Sequence, residues 1–279
     1  MKIVKYISLF FAVALIVSCE KNEIVYKGST SVSDIAEFQI HYVVPVTSNA
    51  ANYIYKIKIN DVLYSNKTAP LSNYSAVPVA GTFFTANPGD VNIKLYKGTD
   101  STLVYDQNTT LAAGKQNIFV HDFNQQPVVF DNGYPYESNI TTDTDSACYV
   151  KFYHFLYETD GVPCSLKLQY QYQDLRTGEM VNVGQPVSFG ETTGWQRIKV
   201  IKKPSEFNTQ GTNNVTYKIK LVNADGTIAG DLQVMNASSK YVSYSEAAKL
   251  QGIGRRYHHT LAGMRSAKPN ASVFSFVAL

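Results

Sequence analysis

The sequence has few of the residues that would suggest a nucleic-acid partner or a protein held together by disulfides. It contains 1 tryptophan and 3 cysteines, and only 17% of its residues are charged. The formal net charge is +3, and Lys2 and Lys5 of the amino-terminal segment supply two of these charges. The remaining chain is close to neutral, so neither nucleic acid nor an acidic lipid surface is expected as a partner.

Catalytic motifs are also missing. The chain has no Gly-x-Ser-x-Gly segment, no HExxH segment and no glycine-rich loop that would cradle a phosphate. A glycosidase would need two carboxylates converging about 5–10 Å apart, whereas the acidic residues here are concentrated in turns. We therefore predict a protein that is not an enzyme and that needs no cofactor.

The histidines do not suggest a metal site. His258 and His259 are adjacent on a predicted strand, so their side chains should point to opposite faces and cannot chelate one ion. His41, His121 and His154 each lie in an apolar strand, where a hydrogen-bonded structural role is usual. No metal is predicted at these positions.

The segment Asp143-Thr144-Asp145 has the alternate-carboxylate spacing that calcium uses, since this ion takes six to eight oxygen ligands. A solvated acidic linker explains the same residues, and the sequence leaves both interpretations open.

The amino terminus is the most informative segment. Two lysines precede an apolar run from Ile7 to Val17, and Ser18 stands directly before Cys19. This order is typical of a secretory signal, and the run is shorter than the ~20 residues that span a bilayer. The ending Ile-Val-Ser-Cys resembles a bacterial lipobox, in which the cysteine is lipidated and becomes the first mature residue. We predict a signal peptide over 1–18 and lipidation at Cys19.

A polar, serine-rich stretch follows over 19–36 and is expected to act as a tether. The predicted location is the cell envelope, anchored to a membrane through the lipid, with the outer membrane favoured. Whether the protein faces the periplasm or the cell surface stays open.

Beyond the tether, short apolar–polar alternations separated by turn residues predict an all-β, antiparallel protein. The predicted strands are Phe38–Val44, Tyr53–Asn60, Tyr74–Val79, Val91–Tyr96, Thr102–Leu111, Gln116–Asp122, Tyr149–Tyr157, Ser165–Gln173, Gln185–Phe189, Trp195–Lys202, Val215–Asn223, Ile228–Met235, Arg255–Ala262 and Ser272–Val277. One short helix is predicted over Ser243–Gln251, with Ser243 as its cap and Glu246 three residues later.

The two halves of this region resemble each other. The segments that begin at Glu37 and at Tyr149 both run strand, polar loop, alternating strand and Asp. Two β-sandwiches are therefore predicted, over 37–131 and 147–279, with a linker over 132–146 that is rich in Pro, Gly and Thr. A tandem copy of one unit is the simplest explanation.

Three turns of the first unit resemble those of the domain-of-unknown-function 4397 family. They are Asn60-Asp61, Pro78-Val79-Ala80-Gly81 and Ala113-Gly114-Lys115. The resemblance covers about 37–131 and weakens over 147–279. It implies immunoglobulin-like sandwiches in secreted or envelope proteins, often in tandem, with no assigned catalytic residues. The lipobox and the Tyr/Asn/Lys-rich composition resemble envelope lipoproteins of the Bacteroidetes.

Cys148 and Cys164 are the two cysteines left to pair. If 148–157 and 164–172 form a hairpin that turns near Asp160-Gly161, Cys148 faces about residue 170 and Cys164 faces about residue 154. A disulfide needs Cα atoms within about 7 Å, so this register disfavours a bond.

Five aromatic residues near loops are candidates for stacking on sugar rings: Tyr134, Tyr136, Trp195, Tyr241 and Tyr244. The alternative for Trp195 is a core position in the second sandwich, which is favoured over the sugar platform. The sequence predicts a non-catalytic binding or structural module for a glycan or an envelope protein. The alternative is an adhesion or fimbrial subunit that assembles by strand exchange.

Overall fold

The computed structural model describes residues 34–65, 70–79, 82–132, 147–200 and 212–278. Residues 33–279 form one compact unit. The predicted signal peptide, Cys19, Tyr134, Tyr136 and Asp143–Asp145 lie outside the described residues. No helix in the described part of the chain is long and apolar enough to cross a membrane.

Residues 34–132, the first half, form two facing sheets. Their strands are β1 (Ala36–Tyr42), β2 (Ile54–Ile59), β3 (Val62–Ser65), β4 (Ser75–Val77), β5 (Phe84–Ala86), β6 (Gly89–Lys97), β7 (Thr102–Leu111), β8 (Gly114–Val120) and β9 (Val128–Asp131). One sheet has the order β3-β2-β6-β7, and the other has the order β4-β1-β8-β9 with β5 also paired to β1. β1 begins at Ala36, which the sequence analysis had placed in the tether.

Residues 147–278, the second half, repeat this arrangement. Their strands are β10 (Ala147–Thr159), β11 (Val162–Pro163), β12 (Lys167–Gln173), β13 (Met180–Val187), β14 (Gln196–Lys199), β15 (Thr212–Val215), β16 (Tyr217–Val222), β17 (Ile228–Asp231), β18 (Gln233–Met235), β19 (Tyr241–Ser243), β20 (Lys249–Gly252), β21 (Arg256–Met264) and β22 (Ser272–Ala278). The two large sheets have the orders β13-β12-β16-β17 and β11-β10-β21-β22, with β14 also paired to β10.

The two halves share one feature of strand direction. β1 pairs in parallel with β8, and β10 pairs in parallel with β21, whereas the other strand pairs are antiparallel. Each parallel pair begins with the same backbone contact, in which a glycine N–H donates to the residue at the start of the partner strand. Gly114 N donates to Ile35 O and Gly254 N donates to Ala147 O, both at 2.8 Å.

Successive side chains of a strand point to opposite faces of its sheet, so each sheet can pack on both faces. The four large sheets pack through three hydrophobic clusters. In the first half, Phe38 and Ile40 of β1 pack against Ile93 and Leu95 of β6. In the second half, strands β10 and β21 pack against β12, β13 and β16. The remaining cluster joins β8 to β10 and β21, so one sheet from each half is covered on both faces. The all-β, sandwich-like fold is therefore confirmed.

The predicted helix at Ser243–Gln251 is wrong. Ser243 ends β19, and β20 begins at Lys249. Glu246 does not close a capping box. Its carboxylate accepts the Tyr244 hydroxyl, pairs with Lys249 Nζ at 2.8 Å and accepts Val273 N at 3.0 Å. These contacts with a distant strand hold the segment in an extended form.

The hairpin proposed between 148–157 and 164–172 is also wrong, although its turn at Asp160-Gly161 is present. Across this turn β10 pairs with the short β11 and not with β12, and the chain then crosses to the other sheet as β12. Cys164 N donates to Leu156 O at 3.1 Å, and Cys148 lies opposite Ile198. Both cysteines are free and buried in this structure.

Candidate functional site

The aromatic layer between the halves is the most distinctive part of the molecule. Side chains at odd positions of β10, among them Tyr153 and Phe155, face the first half and pack on Phe119 of β8. The ring centroids of Phe119 lie 4.6 Å from Tyr153 and 4.9 Å from Phe155. Farther along the layer, Tyr74 and Phe274 stack at 4.2 Å with an angle of 5°. Such pairs add about 0.5–1.5 kcal/mol each beyond the area they bury.

A chain of buried hydrogen bonds, the junction network, crosses this layer through His41, Asn117, Tyr153, His258 and Asn132. His41 Nε2 lies 3.2 Å from Asn117 Oδ1, and Asn117 Nδ2 donates to Tyr153 Oη at 3.5 Å. His258 Nδ1 lies 2.9 Å from Tyr153 Oη, and His258 Nε2 lies 3.0 Å from Asn132 Oδ1. Because an amide oxygen only accepts, His258 carries its proton on Nε2 and accepts the Tyr153 hydroxyl at Nδ1.

Burial keeps the histidines neutral, in agreement with this tautomer. Desolvation lowers the pKa of His41 to about 4, with the Asn117 hydrogen bond opposing it. The pKa of His258 is also lowered well below its usual value, first by desolvation and then by His41, Lys151 and His259. All five histidines are buried, and the expectation that His258 and His259 point to opposite faces is confirmed, since His259 Nδ1 contacts Ser275 Oγ at 2.6 Å.

One lysine is buried at the end of the same layer. Lys151 is 6% exposed, and its ammonium donates to Asp131 O at 2.9 Å. Its Nζ lies 5.5 Å from the ring centre of Tyr153 and 5.9 Å from that of Trp195. Desolvation lowers the pKa of Lys151, while Asp131 opposes the shift. Cation–π contacts of this length favour the charged ammonium.

Trp195 belongs to this junction. Its Nε1 donates to Asn132 O at 2.8 Å, and its ring centroid lies 4.8 Å from that of His258. The indole therefore joins the second half to the last described residue of the first half. This placement is neither the core of the second sandwich nor an open platform for a sugar.

The other two candidate aromatic residues in the described part of the chain, Tyr241 and Tyr244, contact neighbouring side chains of this protein. Tyr241 is 46% exposed, its hydroxyl contacts Ser266, and Arg265 lies over its ring at 4.8 Å. Arg265 in turn binds the Glu158 carboxylate with two nitrogens, at 2.6 and 2.8 Å. Tyr244 is partly buried against the second core and donates to Glu246. These aromatics do not converge on one surface with Trp195.

Sequence reasoning missed a polar groove on the outer face of β6 and β7. It encloses about 680 Å³ and is lined by Asn60, Asp90, Asn92, Asn108, Thr110 and Gln126, among others. Asn92 Nδ2 donates to Asp106 Oδ1 at 2.7 Å and to Asn108 Oδ1 at 3.0 Å. Thr110 Oγ1 donates to Asp90 Oδ1 at 2.6 Å. The signal was available, since Asp90 and Thr110, and Asn92 and Asn108, are directly opposite in the strand register.

The turn between β2 and β3 closes one end of this groove. Asn60 and Asp61 have φ angles of 48° and 64°, a left-handed conformation that Asn and Asp tolerate. This turn places Asn60 Oδ1 where it accepts Asn92 N at 2.8 Å. Asp61 pairs with Lys94 Nζ at 2.8 Å, and this contact, first through the hydrogen bond, lowers the pKa of Asp61. The groove is thus braced at this end by hydrogen bonds and offers amide and hydroxyl groups.

A smaller cleft, the junction cleft, lies between the halves. It encloses about 230 Å³ and is lined by His41, Tyr74 and Ala76 from the first half and by Thr260, Phe274 and Phe276 from the second, among others. Among the described residues, no group of three or more His, Cys, Asp or Glu side chains is placed to hold a metal ion.

Comparison with known proteins gives no family. No model of a known protein family matches the chain, and no curated protein matches it. Among solved structures, the chain is similar to a leucine-rich repeat protein from Bacteroides thetaiotaomicron, with 9% identity and a TM-score of 0.25 over 84% of this chain and 27% of that one. It is also similar to the Bacillus anthracis TIE protein, with 10% identity and a TM-score of 0.21 over 83% of this chain and 34% of that one. The chain therefore spans about a third or less of the length of these structures.

Proposed function

We propose that this protein is a non-catalytic lipoprotein of the cell envelope that binds a glycan through the polar groove of its first half. The observation that carries the proposal is the groove itself, an open surface of about 680 Å³ lined by amides, hydroxyls and one carboxylate. Each amide has two N–H donors and an acceptor oxygen, which suits a polyhydroxylated ligand.

Side chains of the groove are already ordered by hydrogen bonds to each other when no ligand is bound. The Asn92 amide nitrogen on β6 donates to Asp106 and to Asn108 on β7, across two paired antiparallel strands. Ordering side chains on binding costs about 0.5–1.5 kcal/mol each, so a pre-ordered set loses less affinity. The outer face of the equivalent sheet in the second half differs, because lysines such as Lys218 and Lys220 alternate on β16.

The envelope location rests on the sequence. Lipidation at Cys19 would hold the mature chain at a membrane, and the resemblance to the domain-of-unknown-function 4397 family would make both halves immunoglobulin-like sandwiches. Cys19→Ala should move the protein from the membrane fraction to the soluble fraction. Continued tight association with membranes would contradict the anchor.

The soluble body, beginning after Cys19, should be screened on an array of neutral, acidic and amino polysaccharides. The proposal predicts binding to at least one glycan class, and binding to none of them would contradict it.

Strand exchange is the alternative function, and the position of β1 favours it as a second candidate. β1 lies between β8 on one side and β4 and β5 on the other, with Phe38 and Ile40 fully buried. Removal of β1 would expose an unpaired groove that a strand of another subunit could fill. Fibres formed by a chain cut after Tyr42, and dissolved by adding the β1 peptide, would support this alternative over the glycan-binding function.

A further inference from the structure

The junction cleft has three properties of a small-molecule site. It lies between two packed bodies, its walls are apolar and aromatic, and a few polar groups converge on it, which together describe most ligand sites in proteins. Phe274, Phe276 and Tyr74, whose ring stacks on Phe274, are among the aromatic residues that line it. This cleft is separate from the polar groove, and the inference does not depend on glycan binding.

Thr260 Oγ1, in a residue that is 2% exposed, is buried at the cleft without a hydrogen bond to any described residue. The Tyr74 hydroxyl is also buried there, and Asn73 is its one nearby hydrogen-bonding side chain among the described residues. A buried polar group left without a partner costs about 1–3 kcal/mol. The neighbouring polar contacts are satisfied, since His41 binds Asn117 and Ser275 binds His259. The Thr260 hydroxyl therefore has hydrogen-bonding capacity that no described residue uses.

The backbone at the cleft is strained. Tyr74 has a φ of 61°, the left-handed region that costs a bulky residue about 1–3 kcal/mol. Its N–H donates to Tyr42 O at 2.6 Å, and its ring stacks on Phe274 of the other half. This conformation places the Tyr74 ring in the wall of the cleft, which is where strain is expected at a binding site.

The chemistry of the walls defines the ligand. The cleft volume of about 230 Å³ lies below the range of about 300–1,000 Å³ that holds drug-sized molecules, so one ring or two fused rings fit. No charged side chain is among its lining residues that the structure describes, and His41 is neutral at pH 7. We propose that the junction cleft binds a small neutral aromatic molecule with one hydroxyl or carbonyl group, which bonds to Thr260 and Tyr74.

Phenol is the probe, with benzene and glucose for comparison, titrated into the soluble body and followed by two-dimensional NMR. We expect saturable shifts at cleft residues with phenol, weaker binding of benzene and none of glucose. Thr260→Val removes one hydroxyl with little change of shape, so it should weaken phenol binding about fivefold and leave benzene binding unchanged. The variant should fold, since it removes an unsatisfied buried group.

Ala76→Leu narrows the cleft from an edge strand and should weaken both phenol and benzene. Thr109→Val, on the polar groove, is the matched control and should change neither. If phenol causes no saturable shift in the wild-type protein, the hydroxyls are satisfied by water only and the proposal is wrong. Equal phenol affinity in the wild type and in Thr260→Val would also overturn it, as would tighter binding of glucose than of phenol.

Discussion

Lowering the pH from 7.5 to 5 should strongly destabilise this protein, because its histidines are buried as neutral rings. Burial lowers the pKa of His41 and His154 to about 4 and that of His259 to about 3. In the unfolded chain each would titrate near 6.5. Between these values the unfolded state binds more protons than the folded state, so stability falls as the pH falls.

The size of the effect follows from these shifts. At pH 5 an unfolded histidine is almost fully protonated while each of these three is almost neutral in the fold, which costs about 2 kcal/mol per histidine. Three such groups give about 6 kcal/mol, a large part of the 5–15 kcal/mol that a typical domain has. The loss begins near pH 6.5 and levels off near pH 4, where the folded state takes up protons too.

The assay is urea unfolding at pH 7.5 and pH 5.0, followed by circular dichroism. His154→Gln removes one titrating group, so its loss of stability between the two pH values should be smaller than that of the wild type by about 2 kcal/mol. Thr260→Val, which removes no titrating group, should show the full loss. A wild-type loss below about 2 kcal/mol, or an equal loss in His154→Gln, would refute the reasoning.

Two further predictions concern buried groups. Tyr153→Phe leaves His258 Nδ1 without its donor and should destabilise the fold by about 1–3 kcal/mol, measured as a lower urea midpoint; an unchanged midpoint would show that the junction network is not needed. Desolvation raises the pKa of both Cys148 and Cys164, so in the soluble body these thiols should react with a thiol reagent only after unfolding. Rapid labelling of the native protein, or a disulfide seen by mass spectrometry, would contradict this.

Most of the longer strands could be predicted from their apolar–polar alternation, whereas the short strands β3, β5, β9, β11, β19 and β20 were missed. In β2 the side chains of Ile57 and Ile59 are buried and Lys58 between them is not, and this pattern is sufficient to identify a strand with one wet face. Boundaries of the predicted strands moved, for example at β8, which begins at the turn residue Gly114 and not at Gln116.

The sequence of β10 and β21 contained evidence that the two halves pack against each other, and the sequence analysis did not use it. All nine residues of β21 and most of β10 are buried, so these strands have no wet face. Their sequences contain tyrosine, histidine and lysine in place of a continuous Val/Ile/Leu run. Polar side chains such as His258 and Lys151 can occupy a covered face only because partners from the other half bind them.

The missed groove has a different cause. Asn92, Asn108 and Asp106 look like ordinary residues of a wet strand face, and only the register of β6 against β7 places them together. The sequence drew attention to aromatics instead. Trp195 was a candidate as an aromatic residue near a loop, yet its neighbours come from distant segments, so no local pattern could place it at the junction.

The most direct test of the proposed function is a titration of the soluble body with the glycan that the array identifies. Asn92→Ala combined with Asn108→Ala removes the two amides at the centre of the groove, while Asn182→Ala removes an amide from the outer face of the second half. We predict at least a tenfold weaker affinity for the groove variant, since two hydrogen bonds are lost at about 1 kcal/mol each. Asn182→Ala should bind as the wild type does. Unchanged affinity in the groove variant would contradict the proposed binding site.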